Sequence, residues 1–192
     1  IIGGIIAFIW SFISWAILPW HDVAINPFRN QEFVSWVIKE NVTTDGVYMI
    51  PYNPSDQVTW TLPGIKQELK QKKTAIKSVP FVYAQVKVGG LDRSRPLPFI
   101  YSFLTQFAGA LLIGILLMNV VKTNYGGRLF FVTMIGLIVG VIGLIPNWNW
   151  FGAGYRFTLI MMADYLVQWF LVGVFMAGFV RPRKGGVHER MM

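Results

Sequence analysis

Residues 157–180 read FTLIMMADYLVQWFLVGVFMAGFV, twenty-four positions with a single charge, Asp164. At 1.5 Å per helical residue this run is about 36 Å long, enough to cross the ~30 Å hydrocarbon core of a bilayer. Three more runs carry no charge: 1–20 (IIGGIIAFIWSFISWAILPW), 97–121 and 129–146. The first is too long for a signal peptide and lacks a small-residue cleavage site before His21. Four runs predict four transmembrane helices, at 1–20, 97–121, 129–146 and 157–180. The expected fold is an all-α membrane bundle with a small α+β extramembrane domain, residues 21–96, inserted between the first two helices.

Composition agrees with the clustering. Of 192 residues, 54% are hydrophobic and only 14% charged, far from a soluble average. The formal charge of +8 comes with no groove-reading motif, so no nucleic-acid partner is expected. Outside a bilayer, Lys and Arg set topology and meet anionic headgroups. There is no cysteine, and the two histidines, His21 and His188, lie outside the apolar runs. Thiolate metal sites and disulfides are thereby excluded within the chain. No cofactor and no metal site are expected, since two histidines cannot make a three-ligand zinc site without acids.

An even number of helices puts both ends on one side. Lys122 and Arg128 bound the short second gap, 122–128, and Arg181, Arg183 and Lys184 follow the last run. As topology anchors these face the cytoplasm, leaving 21–96 outside, periplasmic in a Gram-negative cell. The segment 147–156, NWNWFGAGYR, joins the last two runs on the outer side. Its Trp148, Trp150 and Arg156 suit an interface, where aromatic rings sit at headgroup level. Within 21–96, Asn26-Pro27 predicts a helix start and 33–41 its body. Residues 46–52 and 81–88 predict two strands, and the basic stretch 65–79 a further amphipathic helix.

Three pieces together, SFISWAILPWHD, DGVYMIPY and IPNWNWFGAGYRFTLIMMADYLVQWFLVG, resemble an uncharacterised family of small bacterial inner-membrane proteins with no assigned activity. The resemblance implies a bacterial inner membrane and an ordered outer domain. It implies no reaction.

Asp164 is the principal candidate site, with Gln168 one turn on and on the same face. An ionised acid in mid-bilayer costs about 2.5–3.5 kcal/mol on insertion scales, so it must face helices or water. It is either a proton or cation site or a clamp on a partner, or a protonated or hydrogen-bonded acid, with partners such as Gln168 or the outer Trp-rich loop, that locks the fourth helix to its neighbours. The second reading is favoured, because the other runs hold no basic residue for a relay. Gly136 with Gly140, and Gly173 with Ala177, form small-residue stripes that let helix backbones approach. His21-Asp22 reads as an interfacial capping pair. With no nucleophile elbow or paired carboxylates, the expected role is a non-catalytic accessory or scaffolding subunit of a membrane complex, contacting lipid and other subunits. A small transporter or proton-coupled protein using Asp164 is the alternative.

Overall fold

The structure, a computed structural model, describes residues 1–52, 80–92, 94–120 and 123–181. The basic stretch 65–79, and the anchors Lys122, Arg183 and Lys184, lie outside the described residues. The chain divides into two compact units. The first holds Ile1–Asn26, Asp92–Asn149 and Ala153–Met192, and the second Pro27–Leu91 with Trp150–Gly152. Residues 21–26 therefore group with the helices, although the sequence puts them in the outer domain.

The first unit is helical: α1 (Ile2–Ala16), a single 3-10 turn (Asp22–Ala24), α3 (Pro96–Asn119), α4 (Tyr125–Phe151) and α5 (Tyr155–Phe179). Between the turn and α3 the chain forms α2 (Gln31–Asn41), β1 (Gly46–Ile50) and β2 (Val82–Val86), all in the second unit. Among the described residues three helices, α3, α4 and α5, are long and apolar enough to cross a membrane. The first apolar run, expected to span over 1–20, makes only the fifteen-residue α1, about 22 Å long. Its helix stops because Pro19 has no N–H to donate and biases the residue before it away from helical backbone.

The surface is apolar to a degree foreign to a water-soluble bundle. Ile9, Phe12, Leu112, Ile138, Ile142 and Phe175 point outward, whereas Ser14, His21, Thr158, Asp164 and Gln168 are buried. A belt of apolar side chains around an interior that mixes an apolar core, Leu117, Val132 and Val172 among it, with those polar groups is stable in lipid, where the outer surface gains nothing from being polar. It suggests contact with a bilayer.

α5 is the hub, and glycines on its neighbours admit its large side chains. Trp169 sits between Gly109 of α3 and Gly136 of α4: a Cβ on Gly136 would lie 2.6 Å from Trp169 Cβ, and one on Gly109 3.2 Å from the ring. One heptad on, Met176 lies between Gly3 of α1 and Gly114 of α3, at 2.9 Å and 3.1 Å from the same hypothetical atoms. Gly4 brings α1 closer still, since a Cβ there would meet the Phe107 backbone at 2.8 Å. Close approach of this kind supplies the van der Waals contact that drives helix association in lipid. Gly140 faces Met162 at an ordinary 3.5 Å, and Gly173 faces Leu129 and Val132. These pairings make α1 and α4 antiparallel to α5, and α3 parallel to it.

The boundaries of α4 extend beyond the expected 129–146 at both ends. Asn124 starts it, its side chain accepting from Gly127 N at 2.8 Å, as an N-cap does. At the other end the helix continues through Pro146 to Phe151. The Asn147 side chain donates to Gly143 O at 3.0 Å, occupying one carbonyl in the turn the proline disturbs. The chain then turns at Gly152, whose φ of +70° is a left-handed backbone that favours glycine. Only 152–154 join α4 to α5, a shorter link than the 147–156 loop expected.

In the second unit, β1 and β2 pair antiparallel with Gly46 opposite Val86 and Ile50 opposite Val82. Asp45 ties the ladder's end, accepting from Val88 N at 2.9 Å and from Lys87 Nζ at 3.3 Å. Those bonds, the backbone one foremost, hold its carboxyl below the ordinary value. The helix expected from Asn26-Pro27 begins four residues later: Asn30, not Asn26, is the N-cap, accepting from Phe33 N at 2.9 Å.

Candidate functional site: a buried histidine and aspartate

The candidate site forms where α1 ends against α5. Trp10 and Ser14 lie four residues apart and so share a face of α1. That face meets Asp164. Trp10 Nε1 donates to Asp164 Oδ1 at 2.6 Å, and the Ser14 hydroxyl donates to the same oxygen at 2.8 Å. Asp164 is nine residues into α5, about 14 Å from its start, and only 3% exposed.

Beyond α1 the chain doubles back over the helix end. The last carbonyls of a helix have no partner within it, and here two side chains take up Ser14 O. Trp20 Nε1 donates to it at 3.2 Å, and His21 Nδ1 approaches it at 3.2 Å. Trp20 Nε1 also lies 3.1 Å from the Ser14 hydroxyl. Trp15 stacks on the His21 ring with centroids 3.9 Å apart, and Trp20 meets that ring edge-on. His21 is left 2% exposed, its Nε2 at 3.6 Å from Asp164 Oδ2. That nitrogen has no hydrogen-bond partner within 3.5 Å among the described residues.

Two sequence expectations are corrected by this geometry. His21 does take up a carbonyl at the end of α1, but it is not paired with Asp22: it is buried against Asp164, while Asp22 is exposed in the 3-10 turn. Nor does Asp164 bond to Gln168 or to the Trp-rich loop. Gln168, also buried, donates instead to Gln106 Oε1 of α3 at 2.8 Å. The partners that sequence reasoning missed, Trp10, Ser14 and Gln106, all belong to the apolar runs. The i, i+4 spacing of Trp10 and Ser14 was the available signal, since a lone acid in one span requires donors from another.

The remaining candidates fall elsewhere. Trp148 and Trp150 are exposed at the end of α4, and Arg156 lies over the Tyr155 ring. Arg128 bonds at the other end of α5: its Nε donates to Ala177 O at 2.8 Å, and Tyr125 OH donates to Val174 O at 2.9 Å. A cation near a helix C-terminus interacts favourably with the helix dipole. Arg181 is exposed just past α5.

Chemically, the cluster is rich in donors converging on one carboxyl. The serine hydroxyl donates to Asp164 and not to the imidazole, which differs from a nucleophile activated by histidine. Among the described residues no three His, Asp or Glu side chains gather in one place. A cation entering here would find His21 and Asp164 as the only such side chains among the described residues. No protein-family model, curated protein or solved structure matches the chain.

Proposed function

We propose that the chain is a multi-pass bacterial inner-membrane protein without catalytic activity, serving as an accessory or scaffolding subunit of a larger membrane assembly. In this reading α1 joins α3, α4 and α5 in a four-helix bundle. Both ends face the cytoplasm, and the segment between α1 and α3 is periplasmic. The observation that carries it is the pairing of α5's two polar residues within the chain. Asp164 binds Trp10 and Ser14, and Gln168 binds Gln106. Polar groups spent on one another make a clasp between helices, and the outward apolar faces are left for lipid and neighbouring subunits.

The alternating helix directions support this topology, as do Arg128 and Arg181 at the end of α5 assigned to the cytoplasm. The resemblance to inner-membrane proteins points the same way. Gentle detergent extraction followed by crosslinking and sizing tests the role. The expected result is a defined complex larger than the 21.8 kDa chain that survives in Asp164→Asn. Ion flux in vesicles carrying the purified chain alone, abolished by Asp164→Asn, would replace the accessory role with a transporting one. That second reading, a proton-coupled protein, draws support from one specific feature: the buried His21 Nε2 facing Asp164.

A further inference from the structure

Ser14 O is a carbonyl and can only accept, so a hydrogen bond from His21 Nδ1 requires the proton on Nδ1. His21 Nε2 is then the nitrogen that faces Asp164 Oδ2 at 3.6 Å. With no proton between them, an imidazole lone pair would confront a carboxylate oxygen inside the bundle. With a proton on each, the pair would be an imidazolium beside a carboxylic acid, carrying an unbalanced positive charge. One proton shared by the two makes the pair neutral as a whole, whether it sits on nitrogen or oxygen. Isolated charge is costly in a dry interior, so neutrality selects that count.

We propose that His21 and Asp164 form a binding site for a single proton, and that losing it or adding a second releases the Trp20–His21 turn from α5. The inference rests on the clasp described above. The groups around the pair leave this bookkeeping to the two residues themselves. α1 contributes Trp10, Ser14 and Trp15, none of which titrates near neutrality. α3 contributes the neutral Gln106, through Gln168. From α5, Tyr165 neighbours Asp164 in the chain, and the 3-10 turn carries the exposed Asp22. His21 thus gains a role as the proton partner of Asp164, holding the fold-back in place while the proton remains.

Proton counting gives the test. Above about pH 6.5 an exposed histidine loses its proton, and below about pH 4 an exposed carboxylate gains one. The unfolded pair therefore holds one proton only between those limits. If the folded pair holds one throughout, its contribution to stability is level between pH 4 and 6.5 and falls as pH rises beyond 6.5. Asp164→Asn keeps the acceptor for Trp10 and Ser14, and its amide can donate to a neutral His21 Nε2. In that variant the folded site holds no exchangeable proton on Nε2, so its contribution rises with pH up to about 6.5 and is level above.

The experiment is the unfolding midpoint of the intact protein in detergent from pH 5 to 8, for the native chain, Asp164→Asn and His21→Gln. The expected result is a native chain that is level up to about pH 6.5 and falls above it, against an Asp164→Asn variant that rises to about pH 6.5 and is level above it. His21→Gln leaves Asp164 without its partner and, by the same neutrality, protonated when folded, so its stability should fall across the whole range instead of only above about pH 6.5. Profiles of the same shape in all three proteins would overturn the proton site. If His21→Gln also matched the native midpoint at pH 6, the clasp would fall with it. Lower midpoints with an unchanged shape would leave the clasp standing and remove only the proton.

Discussion

α5 is held on two sides by different physics. Against α4 the junction is one of shape: Trp169 fills the space left by Gly136, and Leu129 and Val132 pack on Gly173. Against α1 one end is also shaped by glycine, at Gly3 where Met176 fits, but the other end is polar, with Trp10, Ser14 and His21 gathered on Asp164. A shape junction fails by steric intrusion and tolerates loss of any one hydrogen bond. A polar junction fails when one member is removed, because the others are then buried without partners.

The largest effect should come from Asp164→Leu, which deprives Trp10 and Ser14 of their acceptor and His21 of its counter-group. A loss on the order of 3 kcal/mol is expected, read from unfolding in detergent. Next comes Gly136→Ala, where the new Cβ would meet Trp169 at 2.6 Å. Overpacking of this kind costs about 1–3 kcal/mol. Gly140→Ala is its control: its Cβ meets Met162 at 3.5 Å, so stability should change by no more than about 0.5 kcal/mol. Equal losses at the two glycines would show that α4 packs on α5 by some other register.

Asp164→Asn is expected to stay within about 1 kcal/mol of the native chain at neutral pH, since the amide preserves each bond's acceptor and adds a donor. The smallest effect lies outside the bundle. Asp45, held below its ordinary value by Val88 N–H and Lys87, stabilises β1 against β2 above pH 3.8, and that contribution is lost as pH falls below it. Asp45→Asn should remove this acid sensitivity, as read by hydrogen exchange at the Val88 amide.

Much of the helical layout was legible because charge is excluded from lipid: the gaps between Lys and Arg mark where α3, α4 and α5 must lie. Their ends were less so. Asn147, Trp148 and Trp150 look like loop residues, yet α4 runs through them because interface residues suit a helix end as well as a loop. The site was half legible. Asp164 stands out as a lone acid, but its partners carry ordinary labels. Ser14 and Trp10 pass as members of an apolar run, and His21 as a residue at the water's edge. Only the fold-back after Pro19, a tertiary event, turns His21 inward. Nothing in the local spacing of LPWHD announces it.

The most direct test of the account is a double-mutant cycle on His21→Ala and Asp164→Ala, measured by unfolding of the intact protein at neutral pH. A clasp predicts that the two losses do not add, with a coupling of about 1–3 kcal/mol. Strict additivity would mean that His21 and Asp164 do not sense each other, and that Asp164 holds α1 through Trp10 and Ser14 without His21.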